Sequence, residues 1–349
     1  MNSGEIAKLA KVSRSTVSRV LNHHAGVTDK MRERVEAVIR EQNYVPDAAA
    51  RKLAGKENRI IGLFIIDTAD TYEEHNICTT PFYNDYIAQS IDIANSRGYD
   101  LLIRVVHHQN SDELEHLFQN RSIAGGIIMG DRMNDSLLEH LTGRQYRMVL
   151  YNQITESPAA NVVVVNYNNF KCGRMAGEEL IRRGHKRIAM VTGETNKICA
   201  MERLEGLKAA MRGASLTLDC DRYVECGAFH RQSGGYEATR RLLKRNLDHM
   251  PTAICAGSAA MMMGTMQAVI DMGFQIPQDI SLIGIDGNSL SQYTVPTLTE
   301  VQISRKRVAL VTVTRLIELI ENGETPQHEY EISEAELIQR DSVKILSTE

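Results

Sequence analysis

The sequence predicts a small all-α head followed by an α/β body of two parallel-sheet lobes. Three observations carry this. The first 45 residues place apolar side chains at helical spacing and never in strand alternation. From Ile60 onward, short β-rich apolar runs alternate with longer amphipathic segments, the pattern of parallel strands covered by helices. That alternation runs through once and then starts again after "ANVVVV". A chain of 349 residues also exceeds one ordinary core, so two or three domains are expected.

In the head, Ile6, Ala7, Leu9 and Ala10 form the apolar stripe of a first helix. Ser13 then caps a second, whose apolar members are Val17, Val20 and Leu21. A third runs through "TDKMRERVEAVIREQN", with Thr28 at its N-cap and Met31, Val35, Val38 and Ile39 on its buried face. The segment "VPDAAARKLAGKENR" follows. Pro46 can open a helix and Gly55 ends it, leaving about two turns, too short to be stable alone in water.

In the body the strand runs are "IIGLFIID", "YDLLIRVV", "GGIIMG", "RMVLYN", "RIAMVTG", "PTAICAG" and "DISLIGID". Gly98, Gly184, Gly213 and Gly273 each follow a helix-period segment, where a C-cap glycine belongs. Two such lobes leave a cleft between them, and ligands of these folds sit at the carboxyl ends of the strands.

Charge is unevenly spread. Residues 1–59 hold 12 Lys and Arg against 7 Asp and Glu, whereas the rest of the chain holds 28 against 37. A basic head on an acidic body suits a polyanionic partner for the head alone. No catalytic signature stands out: no phosphate-binding glycine loop follows a strand, and neither GxSxG nor HExxH occurs. The six cysteines form no CxxC, and the adjacent pairs His23–His24 and His107–His108 make poor metal sites, so neither a metal nor a cofactor is expected. No apolar run reaches membrane-spanning length, and the N-terminus lacks a signal-peptide core, so a cytoplasmic, nucleoid-associated protein without a membrane partner is expected.

Placed on a wheel at about 100° per residue, Arg14, Ser15, Ser18, Arg19 and Asn22 share one arc, with Val17, Val20 and Leu21 opposite. Arginine pairs with guanine, asparagine with adenine, and serine with base edges or phosphate. This is the design of a helix-turn-helix whose second helix enters the major groove.

The stretch "EIAKLAKVSRSTVSRVLN", followed by "VTDKMRERVEAVIREQNYVPDAAARKLAGK", resembles the LacI/GalR family of bacterial transcriptional repressors. The likeness continues through "GHKRIAMVTG", "RLEGLKAAM", "IPQDISLIGID" and "PTLTEVQ", in order along nearly the whole chain. It implies a helix-turn-helix DNA-binding domain over 1–45, a hinge over 46–59 that becomes helical on DNA, and a periplasmic-binding-protein-like body over 60–349. Lobe boundaries are expected at 60–161 with 289–323, and at 162–288 with 324–349. The family further implies a homodimer on double-stranded operator DNA and a small-molecule effector between the lobes. A carbohydrate operon is the expected target, and the protein is not expected to be an enzyme.

Carried over position by position, Arg14, Ser15 and Arg19 would read bases, and Thr16 and Asn22 would touch the backbone or base edges. Ser13 and Ala50 join this DNA interface, and Leu53 either wedges into the minor groove or packs the dimer hinge. The matching effector positions are Phe82, Tyr83, Lys197, Cys199, Arg203, Phe229, Ser258 and Asp286. Arg203 and Asp286 would either fork to a ligand or form a salt bridge between the lobes.

The chain also departs from the family pattern. Lys11 stands where glycine is usual in the helix-turn-helix turn, at a cost of about 1 kcal/mol if left-handed. Ser258-Ala259 and Asp286-Gly287 replace an Asn-Asp and an Asp-Asp pair, removing carboxylates that hold sugar hydroxyls. The implied effector is therefore a sugar acid or sugar phosphate rather than a neutral sugar. The segment 67–80 either covers the cleft or is a plain surface loop. No leucine heptad follows Ile332, which favours a dimer over a tetramer.

Overall fold

The computed structural model describes residues 3–21, 24, 26–42, 58–67, 81–107, 111–130, 136–154, 158–227, 231–287, 289–323 and 327–346. The hinge positions Ala50 and Leu53, the groove-facing Asn22, the cleft residue Phe229 and segment 68–80 lie outside these. The chain divides into two compact units, Met1–Arg59 and Ile60–Glu349.

The head consists of α1 (Ser3–Leu9), α2 (Arg14–Leu21) and α3 (Asp29–Glu41). Ile6, Ala7, Ala10, Val17, Val20, Val27 and Val35 close its core. Leu9 is off this stripe and 51% exposed, because Ile6, Ala7 and Ala10 define the buried face of α1. Met31, in the first turn of α3, is 43% exposed, whereas Val35 one turn later is fully buried. Thr28 occupies the N-cap position of α3 with extended dihedrals, but its side chain makes no capping bond.

One terminating motif recurs through the protein. After α1, the Val12 N–H donates to the Ala7 carbonyl and the Lys11 N–H to the Lys8 carbonyl, with Lys11 left-handed at φ 52°. This paired return satisfies two of the carbonyls that a helix end orphans. The same bond pair closes the helices that end near Gly98, Arg121, Gly184, Ser215 and Gly273, all with positive φ. Glycine therefore fills three of these six described positions, and Lys11, Arg121 and Ser215 carry the strain in the others. Gly213 was expected to be a C-cap. It is instead the last residue of its helix, and the left-handed turn falls two residues later on Ser215.

The body's first lobe contains β1 (Ile60–Asp67), α4 (Pro81–Ser96), β2 (Asp100–His107), α5 (Ser111–Gln119), β3 (Gly125–Met129), α6 (Ser136–Thr142), β4 (Met148–Tyr151) and β5 (Val162–Tyr167). The second lobe follows with α7 (Asn169–Arg182), β6 (Ile188–Thr192), α8 (Ile198–Gly213), α9 (Cys220–Tyr223), β7 (Val224–Cys226), α10 (Gln232–Arg245), β8 (Ala253–Ala256), α11 (Ala259–Asp271), β9 (Ser281–Asp286) and β10 (Thr299–Ile303). A short 3₁₀ helix, Ser289–Gln292, precedes β10. Then come α12 (Arg305–Asn322), β11 (Glu329–Ile332) and β12 (Ala335–Ile338).

The first sheet runs β11-β5-β4-β3-β1-β2, all parallel. The second runs β12-β10-β9-β8-β6-β7, parallel except for β12 against β10. Their inner strands are buried on two faces, which is why these read as unbroken apolar runs. In β1, Ile61, Leu63 and Ile65 join one core, while Phe64 and Ile66 join the core on the other face.

The lobe boundaries differ from those expected. Val162–Tyr167 does not open the second lobe, because β5 pairs with β4 inside the first sheet. The restart of the apolar pattern at "VVVV" marks another strand of the same sheet, not a new lobe. Thr299–Ile303 belongs to the second sheet, α12 packs on α4 and on β3, β4 and β5, and β11 pairs with β5. The chain thus crosses between lobes at Asn168, Ser304 and Ser333–Glu334, rather than near 162, 288 and 323.

Close helix contacts position the second lobe's polar residues. A Cβ on Gly173 of α7 would collide with the Arg203 carbonyl, and one on Gly206 of α8 with the Phe170 carbonyl. Two backbones that touch in this way bring the first residue of α7 against Arg203. No helix among the described residues is long and apolar enough to cross a membrane.

The terminating motif gives a prediction with opposite signs. Lys11→Gly should stabilise the head by up to about 1 kcal/mol, and Gly98→Ala should destabilise the body by about 1 kcal/mol. Hydrogen exchange at Val17 and Val35 checks the first, and urea unfolding the second. Slower exchange in neither head amide would refute the strain at Lys11.

Candidate functional site

The head presents a polar face on α2. Ser13 caps this helix as expected, its Oγ accepting from the Thr16 N–H at 3.1 Å. The same Oγ lies 2.7 Å from the Ser15 hydroxyl and 2.8 Å from the Thr16 hydroxyl. Arg14 donates from Nε to the Ser3 hydroxyl at 2.9 Å, which ties its stem to the start of α1. Arg14, Ser15, Ser18 and Arg19 are exposed and Thr16 half-buried, while Val17 and Val20 are buried. The wheel's two faces are therefore present in space. At the turn, the Arg34 guanidinium donates to the Lys11 carbonyl at 3.2 Å, tying α3 to the strained residue.

The second candidate site lies where strands of both lobes end. Arg203, on α8, is 3% exposed and Asp286, at the end of β9, is 8% exposed. The Arg203 Nη1 and Nη2 donate to the two Asp286 oxygens at 3.0 and 2.5 Å. Nη1 also donates to the Gly257 carbonyl at 2.7 Å, and Nε and Nη2 both donate to Asn169 Oδ1 at 3.1 and 2.9 Å. All five N–H directions of the guanidinium are thereby used. Burial pulls the Arg203 pKa down, but the Asp286 carboxylate raises it further, and the group stays charged. Asp286 holds this position with φ 84°, followed by Gly287 at φ 67°.

The expected salt bridge is present, but in a different place. The salt bridge lies within the second lobe, not across the lobes, because both α8 and β9 belong to that lobe. Lys197, at the N-cap of α8, reaches across the lobes. Its Nζ donates to the Gly130 carbonyl, after β3 of the first lobe, at 2.9 Å. Among the described residues, no carboxylate pairs with this ammonium.

The other expected cleft residues sit nearby. Phe82 and Tyr83 begin α4, with their rings edge-on at 5.6 Å. Phe82 lies near-parallel to Tyr86 at 6.0 Å and to Tyr151 at 5.9 Å. Cys199 is half-buried on α8, and burial pushes its thiol pKa up, so it stays protonated near neutrality. Ser258 is 5% exposed, and its Oγ accepts from the Met261 N–H at 3.2 Å, capping α11. No group of three His, Cys, Asp or Glu side chains among the described residues could hold a metal ion.

Three residues of this region were missed from the sequence. Tyr151, at the carboxyl end of β4, is buried, and burial with the Asp286 charge pushes its hydroxyl pKa well up. Asn169 is fully buried at the start of α7, and Asn152 is left-handed just after β4. Asn169 Nδ2 donates to Asn152 Oδ1 at 3.3 Å, joining the Arg203 network to the first lobe. The rule that strand carboxyl ends line the cleft would have flagged Tyr151 and Asn152. Nothing in the local sequence pointed to Asn169.

A helix-turn-helix with a polar outer face, in one chain with a two-lobed α/β body, defines a DNA-binding transcriptional regulator. Comparison with known proteins supports this and narrows it. Residues 4–47 match the bacterial regulatory proteins of the lacI family, and residues 178–343 match a periplasmic binding protein-like domain. The HTH-type transcriptional repressor PurR of Haemophilus influenzae is 30% identical over 345 residues, covering 97% of this chain and 98% of that protein. The ribose operon repressor of Escherichia coli is 33% identical over 323 residues, covering 90% and 92%. The structure of the lac repressor dimer bound to operator and the anti-inducer ONPF shares the fold, with a TM-score of 0.83, 99% of both chains covered and 23% identity. The chain belongs to the LacI family of bacterial regulatory proteins and is a DNA-binding transcriptional repressor.

The buried pair invites a direct test. Asp286→Asn, which keeps the left-handed backbone accessible, should cost about 3 kcal/mol by leaving the Arg203 charge uncompensated. Adding Arg203→Met should cost about 2 kcal/mol less than the sum of the two single changes. Strictly additive urea-unfolding free energies would mean that the pair is not coupled.

Proposed function

We propose that this repressor acts as a homodimer on a pseudo-palindromic operator and that a small molecule between the lobes sets its operator affinity. The exposed face of α2 supports base reading by Arg14, Ser15 and Arg19, with Ser13 and Thr16 toward the backbone. Asn22 is assigned by its place on the helix wheel and by family resemblance, and Ala50 and Leu53 by family resemblance alone. A dimer is supported by Leu290, Tyr293 and Val295, which are 56, 76 and 88% exposed within one short loop. The resemblance to the ribose operon repressor favours a carbohydrate-utilisation operon as target.

For the effector, the observation that carries the reading is Lys197. With Arg203 neutralised by Asp286, the Lys197 ammonium is a cation that an acidic group in the cleft would meet. Phe82, Tyr83, Cys199 and Ser258 line the same region, and the Phe82 and Tyr151 rings supply apolar walls. We infer a sugar acid or sugar phosphate. The same rings would also hold a planar base, so nucleobases belong in the test panel.

Two outcomes are expected. In gel shifts on the DNA upstream of its own gene, Arg14→Ala should weaken specific binding by about 1–3 kcal/mol per half-site while nonspecific binding falls far less. Equal loss on specific and random duplexes would remove Arg14 from base reading. In thermal-shift assays, sugar phosphates should stabilise the protein more than their neutral parent sugars, and Lys197→Met should erase that difference. Stabilisation by neutral hexoses and by no anionic sugar would defeat the acidic-effector reading.

A further inference from the structure

Arg305 opens α12, where the chain returns to the first lobe after the Ser304 crossing, and it is only 7% exposed. Its contacts reach both lobes. Nη2 donates to the carbonyl of Gly287, the residue beside Asp286 in the second lobe. Nη1 lies 3.7 Å from the Asp85 carboxylate on α4 of the first lobe. The guanidinium also stands 5.9 Å from the centre of the Phe82 ring. The left-handed Asp286-Gly287 turn thus aims one residue's carboxylate at Arg203 and the next residue's carbonyl at Arg305. A continuous polar path leaves the first lobe at Asn152 and runs through Asn169, Arg203 and the Asp286-Gly287 turn. It re-enters the first lobe through Arg305 at Asp85 and Phe82.

A second observation marks this link as able to change. Among the described residues, the buried Arg305 Nε–H has no partner, and Asp85 stands beyond hydrogen-bond length. Beside the guanidinium is a cavity of about 630 Å³, lined by Asp85, Gln89, Ser304, Lys306 and Glu334 among others. Its lining carries three carboxylates, Asp85, Glu334 and Glu336, of which Glu334 is paired with Arg307 at 3.3 Å. An under-satisfied cation with a carboxylate 3.7 Å away is the kind of two-position element that can carry coupling between sites.

We propose that Arg305 is a positioning residue that couples the Asp286-Gly287 turn of the second lobe to α4 of the first. When that turn moves, Arg305 exchanges the Gly287 carbonyl for the Asp85 carboxylate and shifts the start of α4 with it. The use of this coupling by an effector rests on the cleft reading above, whereas the coupling itself does not.

The test needs no ligand. Asp85→Asn and Asp286→Asn, alone and together, are compared by urea unfolding of the full chain, first with Arg305 and then with Arg305→Met. The two carboxylates lie in different lobes. With Arg305 present, the double change should depart from additivity by about fivefold in the unfolding equilibrium constant, and with Arg305→Met by less than about twofold. Equal departures in both backgrounds, or none with Arg305 present, overturn the proposal. Should Arg305→Met not fold, Arg305→Lys keeps the charge without the fork. Hydrogen exchange should then rise at least about tenfold at both Asn84–Asp85 and Gly287, with the Ile127 and Ile254 strand amides unchanged. A rise at only one of the two places, or at neither, also overturns it. A negative result here leaves the effector reading standing, and the lack of any effector leaves this result standing.

Discussion

The body is organised around one buried guanidinium. A charge placed where water cannot reach is tolerable only if it is fully paired, and Arg203 achieves this with a carboxylate, a carbonyl and an amide oxygen. Each partner comes from a different place in the chain: the start of α7, the loop after β8 and the end of β9. The glycines at 173 and 206 let α7 and α8 approach closely enough for Asn169 to take part. Asp286 accepts a left-handed backbone to deliver its carboxylate. The ordering of the cleft floor, the lobe connection through Asn152 and the carbonyl offered to Arg305 all follow from satisfying that single charge.

This arrangement also divides labour within the cleft. Arg203 is fully engaged here, and any ligand that took one of its N–H groups would have to displace Asp286, Asn169 or the Gly257 carbonyl. Lys197 stands at the other extreme, with a flexible four-carbon stem and one bond to a backbone carbonyl. A strongly hydrated ammonium of this kind can exchange partners at low cost. Two side chains of the same formal charge are thus held very differently, and the difference comes from their surroundings rather than from their type.

Much of the fold was legible because its signals are local. Unbroken apolar strands, amphipathic helices and a capped polar helix in the head each depend on residues close in sequence. The lobe boundaries were not legible, since "VVVV" reads identically whether it ends one sheet or begins another, and only pairing with β4 decides. The left-handed turn at Lys11 was visible because glycine is usual at that position, whereas those at Arg121 and Ser215 gave no such signal. In the cleft, Arg203 and Asp286 could be named, but their mutual saturation could not. It depends on Asn169, a residue whose role exists only once two helices touch.

The three chain crossings have a mechanical consequence. Asn168, Ser304 and Ser333–Glu334 join the lobes, and the first and third are bonded to each other: the Asn168 N–H donates to the Ile332 carbonyl, and Lys171 Nζ to the Ser333 carbonyl. Three tethers, two of them fastened side by side, resist sliding and stretching far more than bending. The cheapest large movement is therefore a swing about the line they define. A single soft coordinate of that kind turns many different ligand contacts into the same output, so the chemistry of the cleft can diverge while the mechanical stroke is kept.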